Sequence, residues 1–133
     1  MATSDSYYDD KYFDWQAPIG EFGGWANLTK FQPFIHNEFN VVDFGCGGGY
    51  LLKNIHCQEK IGIEVNGVAR EQARQNGIRT VETTEEIDHQ WADLIISNHA
   101  LEHTTSPLDE IKTLKSHLNE ETYSIEIPNI KKE

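Results

Sequence analysis

The residues best suited to holding a ligand lie in and around a run of glycines. Residues 41–44 are apolar except for Asp43, and residues 45–49 hold four glycines before the apolar residues 50–52. The apolar stretch predicts a buried strand, and residues 50–52 predict the start of a helix. Because glycine leaves its N–H groups unshielded, a strand, a glycine turn and a helix start in this order indicate close binding of a ligand by the backbone.

The spacing of the glycines distinguishes two kinds of cofactor site. A dinucleotide fingerprint is Gly-x-Gly-x-x-Gly, and counting from Gly45 its third glycine would fall at position 50, where the chain has Tyr50. Asp43 also lies inside the end of the strand, where a dinucleotide-binding strand is usually apolar. Both observations argue against a pyrophosphate site.

The chain instead fits a different glycine motif. Asp43, Gly45, Gly47 and Gly49 match Asp-x-Gly-x-Gly-x-Gly. With this motif the chain resembles the class I S-adenosylmethionine-dependent methyltransferases, in which the pattern closes the first strand. The resemblance implies that these four residues and Cys46 contact S-adenosylmethionine, or its product S-adenosylhomocysteine.

A second carboxylate ends the next apolar segment, residues 60–65. A helix connects the two strands, so they should pair in parallel and Glu64 should emerge at the edge where the glycine turn lies. A carboxylate there can accept hydrogen bonds from both hydroxyls of a ribose. The resemblance implies that Glu64 binds the ribose and that Val65 and Asn66 lie against the adenine. The alternative is an exposed strand-end glutamate.

The rest of the chain predicts helices and strands in alternation, which indicates an α/β fold. Asn66 should cap a helix that Asn76 and Gly77 end, and residues 83–86 have a capping-box pattern. The later predictions are a third strand over 78–82, a fourth over 92–98, a helix capped by Ser106 that buries Leu108, Ile111, Leu114 and Leu118, and a fifth strand over 123–128.

The ends of these later strands supply further candidate site residues. The resemblance implies that Glu82 or Thr83 reaches the adenine amino group and that Asn98 and His99 contact the cofactor. Residues 101–103, Leu-Glu-His, resemble a stretch that small-molecule methyltransferases place between cofactor and acceptor. If the acceptor needs a base, His99 and His103 are the catalytic candidates, with Glu102 between them. The alternative for His103 is a structural or orienting role.

The N-terminal segment, residues 1–35, is expected to cover the domain. We predict a turn at Pro18–Gly20 and a helix from Glu21 to Ile35, with a frayed start at Gly23 and Gly24 and an aromatic stripe of Phe22, Trp25 and Phe31 against the sheet. The aromatic residues before it either anchor a helix to the domain or form a lid over the cofactor. In the second case the resemblance places Tyr12 at the cofactor.

Composition limits the classes of function. With 133 residues, 38% hydrophobic and 25% charged, the chain is expected to form one soluble domain over residues 1–133, in the cytoplasm. The net charge of −11 opposes binding to nucleic acid, and no segment has the ~20 apolar residues of a membrane span. Cys46 and Cys57 should be free thiols, and no metal is expected.

The motifs together predict a Rossmann-like three-layer sandwich with a mostly parallel five-stranded sheet. The family's sheet has seven strands, so the antiparallel hairpin that completes the acceptor pocket is missing from this sequence. Three functions stay open: a methyltransferase for a small-molecule acceptor, a cofactor-binding remnant or partner subunit, and, disfavoured by Tyr50, a nicotinamide oxidoreductase. Without the hairpin, strand five is an edge that could pair in a homodimer.

Overall fold

A computed structural model describes residues 10–98, 100–101, 104–119 and 125–126, with side chains for those from residue 20 to residue 119. Its centre is a parallel sheet in the order β3-β2-β1-β4-β5. The strands are β1 Asn40–Phe44, β2 Glu59–Ile63, β3 Arg79–Val81, β4 Leu94–Ile96 and β5 Ile125–Glu126. The predicted five-stranded parallel sheet is confirmed, although β2, β3 and β4 are shorter than the sequence pattern indicated. The chain turns to opposite sides of β1 to reach β2 and β4, and such a reversal point in a parallel sheet is where ligands bind.

Helices lie on both faces of this sheet. They are α1 Asp10–Phe31, α2 Tyr50–Lys53, α3 Gly67–Gln75 and α4 Pro107–Lys115, with short 3₁₀ helices at Gln32–Phe34 and Thr84–Glu86. Side chains alternate along β1, so Val41 packs with Phe31 and Leu52 on one face, and Val42 packs with Leu114 on the other. Two buried cores on opposite faces give the three-layer arrangement. Within the described part of the chain, no helix is both long and apolar enough to cross a membrane.

Helix α1 differs from the prediction. It runs without interruption through Pro18–Gly20 and past Gly23 and Gly24, so the predicted turn and the predicted start at Glu21 were wrong. The glycines serve close packing instead. A Cβ at Gly20 would lie 2.6 Å from the ring of Tyr50, and a Cβ at Gly24 would collide with the backbone of Tyr50. Two glycines four residues apart therefore let α1 lie directly against the start of α2.

The outer face of α1 carries two aromatic side chains that were expected in the core. Phe31 is fully buried, but Phe22 and Trp25 are 69% and 65% exposed, with their ring centroids 6.3 Å apart. Because Gly20 and Gly24 occupy the inner face, residues 22 and 25 point away from it. Leu108 was also expected in the core and is exposed on α4, whereas Leu114 and Leu118 are buried as predicted.

The predicted N-terminal helix caps agree with the structure in two cases out of three. Asn66 caps α3 by accepting a hydrogen bond from the Ala69 N–H at 2.9 Å, and Thr83 forms the predicted capping box with Glu86. Ser106 does not cap the backbone of α4, because its hydroxyl donates to Asp109 Oδ2 at 2.8 Å.

Candidate functional site

The glycine turn connects β1 to α2 and is fixed to the end of β2. The N–H groups of Gly45 and Cys46 both donate to the carbonyl of Ile63, at 2.8 and 3.0 Å. Gly45, Gly47 and Gly49 have φ angles of 79°, 57° and 79°. Side-chain-bearing residues rarely adopt this left-handed conformation, which accounts for the alternating glycines.

The three left-handed glycines differ in what surrounds them. A Cβ at Gly45 would collide with Ala100, and a Cβ at Gly49 would lie 3.0 to 3.2 Å from Ile78 and Ala73. A Cβ at Gly47 would meet no atom within 4 Å. Packing therefore excludes a side chain at Gly45 and leaves little room for one at Gly49, whereas Gly47 borders open space.

Glu64 joins the turn to the next helix. Its Oε1 accepts a hydrogen bond from the Gly47 N–H and its Oε2 accepts one from the Asn66 N–H, both at 2.9 Å. Arg70 supports the same strand end by donating to the carbonyl oxygens of Glu64 and Val65. A carboxylate has about four acceptor positions, so Glu64 keeps capacity for two ligand hydroxyls. Val65 is 67% exposed, which leaves an apolar surface beside this carboxylate.

A cavity of about 240 Å³ separates α1 from the glycine turn. Its lining combines the inner face of α1, the end of β1, the turn, the start of α2 and Asn98 beyond β4. The residues are Gly20, Gly23, Gly24, Asn27, Asp43, Gly45, Cys46, Gly47, Tyr50, Leu51 and Asn98.

Asp43 places a carboxyl group in the wall of this cavity. The residue is 3% exposed, and its Oδ1 has no hydrogen-bond partner within the described residues. Burial, and then the nearby charge of Glu64, raise the pKa of Asp43 from 3.8 to about 8. The carboxyl is therefore largely protonated at neutral pH in the protein alone. A buried acceptor without a partner suits a ligand that brings a donor or a positive charge.

Cys46 has a structural environment. Burial, and then the charges of Asp43 and Glu64, raise the pKa of its thiol well above the ordinary value, so the thiol stays protonated. Cys46 and Cys57 are both free, as predicted. Across the described ranges, no group of three histidine, cysteine or acidic residues could hold a metal ion.

The structure brings together most of the predicted site residues that it describes. Asp43, Gly45, Cys46, Gly47 and Asn98 line the cavity, and Glu64 and Asn66 are tied to the turn by hydrogen bonds. Other predicted residues lie outside that lining: Gly49 packs behind the turn, while Val65 and Thr83 are exposed near the ends of β2 and β3. The side chains of Tyr12, His99 and His103 fall outside the described residues.

Sequence reasoning missed the wall that α1 contributes. Gly20, Gly24 and Asn27 line the cavity, and Lys30 reaches its edge by donating to Asn98 Oδ1 at 3.4 Å. The signal was the pair of glycines at positions 20 and 24, which are a full helical turn apart. They were interpreted as a helix boundary rather than as a contact face.

A parallel sheet with this strand order, a glycine turn after β1 and an acid after β2 defines a Rossmann-like α/β protein with its site at the reversal point. A family model described as a methyltransferase domain matches residues 14–130, and the chain belongs to that family. The predicted family is confirmed.

Solved structures share this fold. One is a methyltransferase from Thermotoga maritima, described as a possible histamine N-methyltransferase (TM-score 0.67, 17% identity, 84% of this chain and 54% of that one). Another is a complex of the Haloferax volcanii Trm112 methyltransferase activator with a putative methyltransferase (0.68, 16%, 86% and 54%). A third is a putative methyltransferase from Methanococcus maripaludis (0.66, 17%, 96% and 67%). The chain thus spans about half the length of the first two. No curated protein matches the sequence significantly.

The family implies S-adenosylmethionine as the cofactor, and the site fits it. Asp43 offers an acceptor that has no partner among the described residues and that suits the ammonium of an amino acid. Gly47 borders space where a ligand can approach the backbone. Glu64 has remaining acceptor capacity beside the exposed Val65, as a ribose and an adenine require. These features extend from the cavity to the ends of β2 and β3.

Proposed function

We propose that this chain binds S-adenosylmethionine at the glycine turn and transfers its methyl group to a small-molecule acceptor. The observation that carries the proposal is the open space at Gly47 beside the unpartnered Asp43, with Glu64 bonded to the same turn. A small molecule is the acceptor rather than a nucleic acid because the net charge of −11 repels phosphates. The activity is a proposal for the whole protein, since the chain spans about half of the relatives named above.

When bound, the cofactor would supply a methyl group on a cationic sulfur. The acceptor's nucleophile would attack the methyl carbon in line and displace the sulfur, leaving S-adenosylhomocysteine. The protein's contribution is then orientation, which is worth ~7 to 11 kcal/mol of barrier in well-aligned reactions. Asp43 and the turn hold the amino-acid end, and Glu64 holds the ribose. Val65, Asn66 and Thr83 lie where the adenine is expected.

Helix α1 covers the cavity and so limits access of water. Its inner glycines bring it against Tyr50, directly beside the turn. We place Tyr12 and the rest of residues 1–35 in the same covering role, since a dry site favours the reaction of a charged sulfonium. His103, or His99, is our candidate base for an acceptor that must lose a proton, with Glu102 as the third candidate.

Glu64→Ala tests the proposed cofactor site. The substitution removes the acceptor for the ribose hydroxyls and the bond to Gly47, and charge-assisted hydrogen bonds of this kind are worth about 1.5 to 3 kcal/mol. We expect the affinity for S-adenosylhomocysteine to fall about tenfold or more, measured by isothermal titration calorimetry. A folded Glu64→Ala protein with unchanged affinity would contradict the assignment.

Glu59→Ala is the matched control. Glu59 is exposed at the first position of β2, whereas Glu64 follows the last position of the same strand. Removal of the Glu59 side chain should therefore leave binding unchanged. Titration of the unaltered protein with a nicotinamide dinucleotide separates the two cofactor classes. Binding of the dinucleotide in preference to S-adenosylhomocysteine would favour an oxidoreductase.

We also propose that two copies pair through β5. This strand lies at the end of the described sheet order, and Leu108 on α4, the helix that precedes it in the chain, is 65% exposed. A two-fold pairing would satisfy the backbone groups of the edge and cover apolar surface. Light scattering at micromolar concentrations should report a dimer that Ile125→Lys converts to a monomer. A monomeric unaltered protein would rule the pairing out.

A further inference from the structure

Helix α1 brings polar donors to the cavity whose wall also holds Asp43. Asn27 lines the cavity, and Lys30 lies three residues further along, on a neighbouring part of the helix face. The Lys30 ammonium donates to Asn98 Oδ1 at 3.4 Å, so it connects α1 to the segment that follows β4. Two amides therefore line the cavity, and one of them is hydrogen-bonded to the Lys30 ammonium.

The charge of Lys30 is not neutralised by its described surroundings. Lys53, a lysine on α2 beside α1, forms an ion pair with Glu21. No carboxylate among the side chains that the structure describes lies within ion-pair distance of Lys30. In a chain with 22 acidic residues against 11 basic ones, a lysine beside the cavity without such a partner is suited to an anionic ligand group.

The hydrogen bond also orients Asn98. An ammonium can only donate, so the amide oxygen of Asn98, and not its NH₂ group, faces Lys30. The NH₂ group of Asn98 then remains as a donor for a ligand. This edge of the cavity offers donors, whereas Asp43 offers an acceptor.

This polarity matches a zwitterionic amino acid. We propose that Lys30, with the amides of Asn27 and Asn98, binds the carboxylate of the cofactor's amino-acid end while Asp43 receives its ammonium. The inference rests on the proposed function, and it assigns α1 a direct role in cofactor binding beyond covering the cavity.

The test compares two ligands that differ only in the carboxylate. S-adenosylhomocysteine and its decarboxylated analogue are titrated by calorimetry into the unaltered protein, Lys30→Met and Lys30→Arg. Methionine keeps the length of the side chain and removes its charge. Lys112→Met, on the exposed side of α4, controls for the loss of one positive charge from this acidic chain.

We expect Lys30→Met to bind S-adenosylhomocysteine about fivefold to twentyfold more weakly, since the proposed pair of the Lys30 ammonium and the ligand carboxylate is charge-assisted but partly solvated. The decarboxylated analogue should bind Lys30→Met and the unaltered protein equally. Lys30→Arg should retain most of the affinity, and Lys112→Met all of it. The penalty at Lys30 should shrink as salt is added.

The remaining outcomes overturn the inference. Equal affinity of Lys30→Met and the unaltered protein for S-adenosylhomocysteine would show that Lys30 does not contact the carboxylate. An equal loss for both ligands would show that Lys30 acts through the position of Asn98. If the unaltered protein binds neither ligand, the proposed function itself fails. In the two outcomes above, by contrast, the unaltered protein binds S-adenosylhomocysteine and only the role of Lys30 fails.

Discussion

Replacing Gly47 with valine is expected to abolish binding of S-adenosylhomocysteine in a protein that still folds. Gly47 lies in the cavity wall, and a Cβ there would meet no protein atom within 4 Å. The side chain would therefore project into the space proposed for the ligand. The N–H of Gly47 is also bonded to Glu64, so a shift of the turn would disturb the ribose site. We expect a loss of at least about a hundredfold in affinity by calorimetry.

The valine also adds backbone strain, because the φ angle of Gly47 is 57°. A residue held in this region costs about 1 to 3 kcal/mol of stability. Gly77 provides a matched control, since its φ is 81° and a Cβ there also meets nothing within 4 Å. Gly77 ends α3 and does not line the cavity.

Gly77→Val should therefore lower the free energy of unfolding by a similar amount while leaving ligand affinity intact. Thermal and urea unfolding of both variants, followed by circular dichroism, separates strain from site loss. If Gly47→Val binds normally, the turn serves packing alone. In that case the proposed function loses its main support.

The parts of the site that the sequence predicts are those set by local geometry. Asp43, the alternating glycines and Glu64 each lie at the end of a strand, and parallel pairing brings strand ends to one edge whatever the rest of the chain does. Asn66 and Thr83 were likewise predictable, because a cap depends on residues at most four positions away. Spacing along the chain is sufficient for such features.

Long-range packing decided the features that the sequence did not predict. Glycine usually interrupts a helix, so residues 18 to 24 indicated a turn and a helix start. The contact of Gly20 and Gly24 with Tyr50, thirty and twenty-six positions later, reverses that interpretation. The same contact turns Phe22 and Trp25 outward, although their spacing alone suggested a buried stripe. Pairing between Lys30 and Asn98 had no signal in either segment.

Replacing Asp43 with asparagine is expected to stabilise the protein above neutral pH. Burial raises the pKa of Asp43 to about 8 in the folded protein, whereas the unfolded chain titrates near 3.8. Between these values the folded state holds a proton that the unfolded state has lost. The stabilisation from that proton is fully present below pH 3.8 and is lost as the pH rises through about 8. Asparagine has the same shape and does not ionise, so the variant should not show this loss.

The measurement is the difference in the free energy of unfolding between Asp43→Asn and the unaltered protein, by urea unfolding from pH 5 to pH 8. A full proton difference changes stability by about 1.4 kcal/mol per pH unit, so the advantage of the variant should grow by about 2 to 4 kcal/mol over this range. Asp109→Asn, at an exposed position on α4, should show no such growth.

The same substitution, Asp43→Asn, should weaken binding of S-adenosylhomocysteine. An incoming ammonium favours the ionised form of Asp43, so binding to the unaltered protein near pH 7 should release a proton from this carboxyl. Calorimetry in buffers of different ionisation enthalpy detects that release, and it should be smaller in Asp43→Asn, together with an affinity about tenfold lower. Because the charged carboxylate is the binding form, affinity in the unaltered protein should rise from pH 6 toward pH 8. If the difference in the free energy of unfolding does not change with pH, Asp43 titrates as an ordinary carboxylate. In that case the carboxyl is already ionised near pH 7, and binding of the ammonium would release no proton from it.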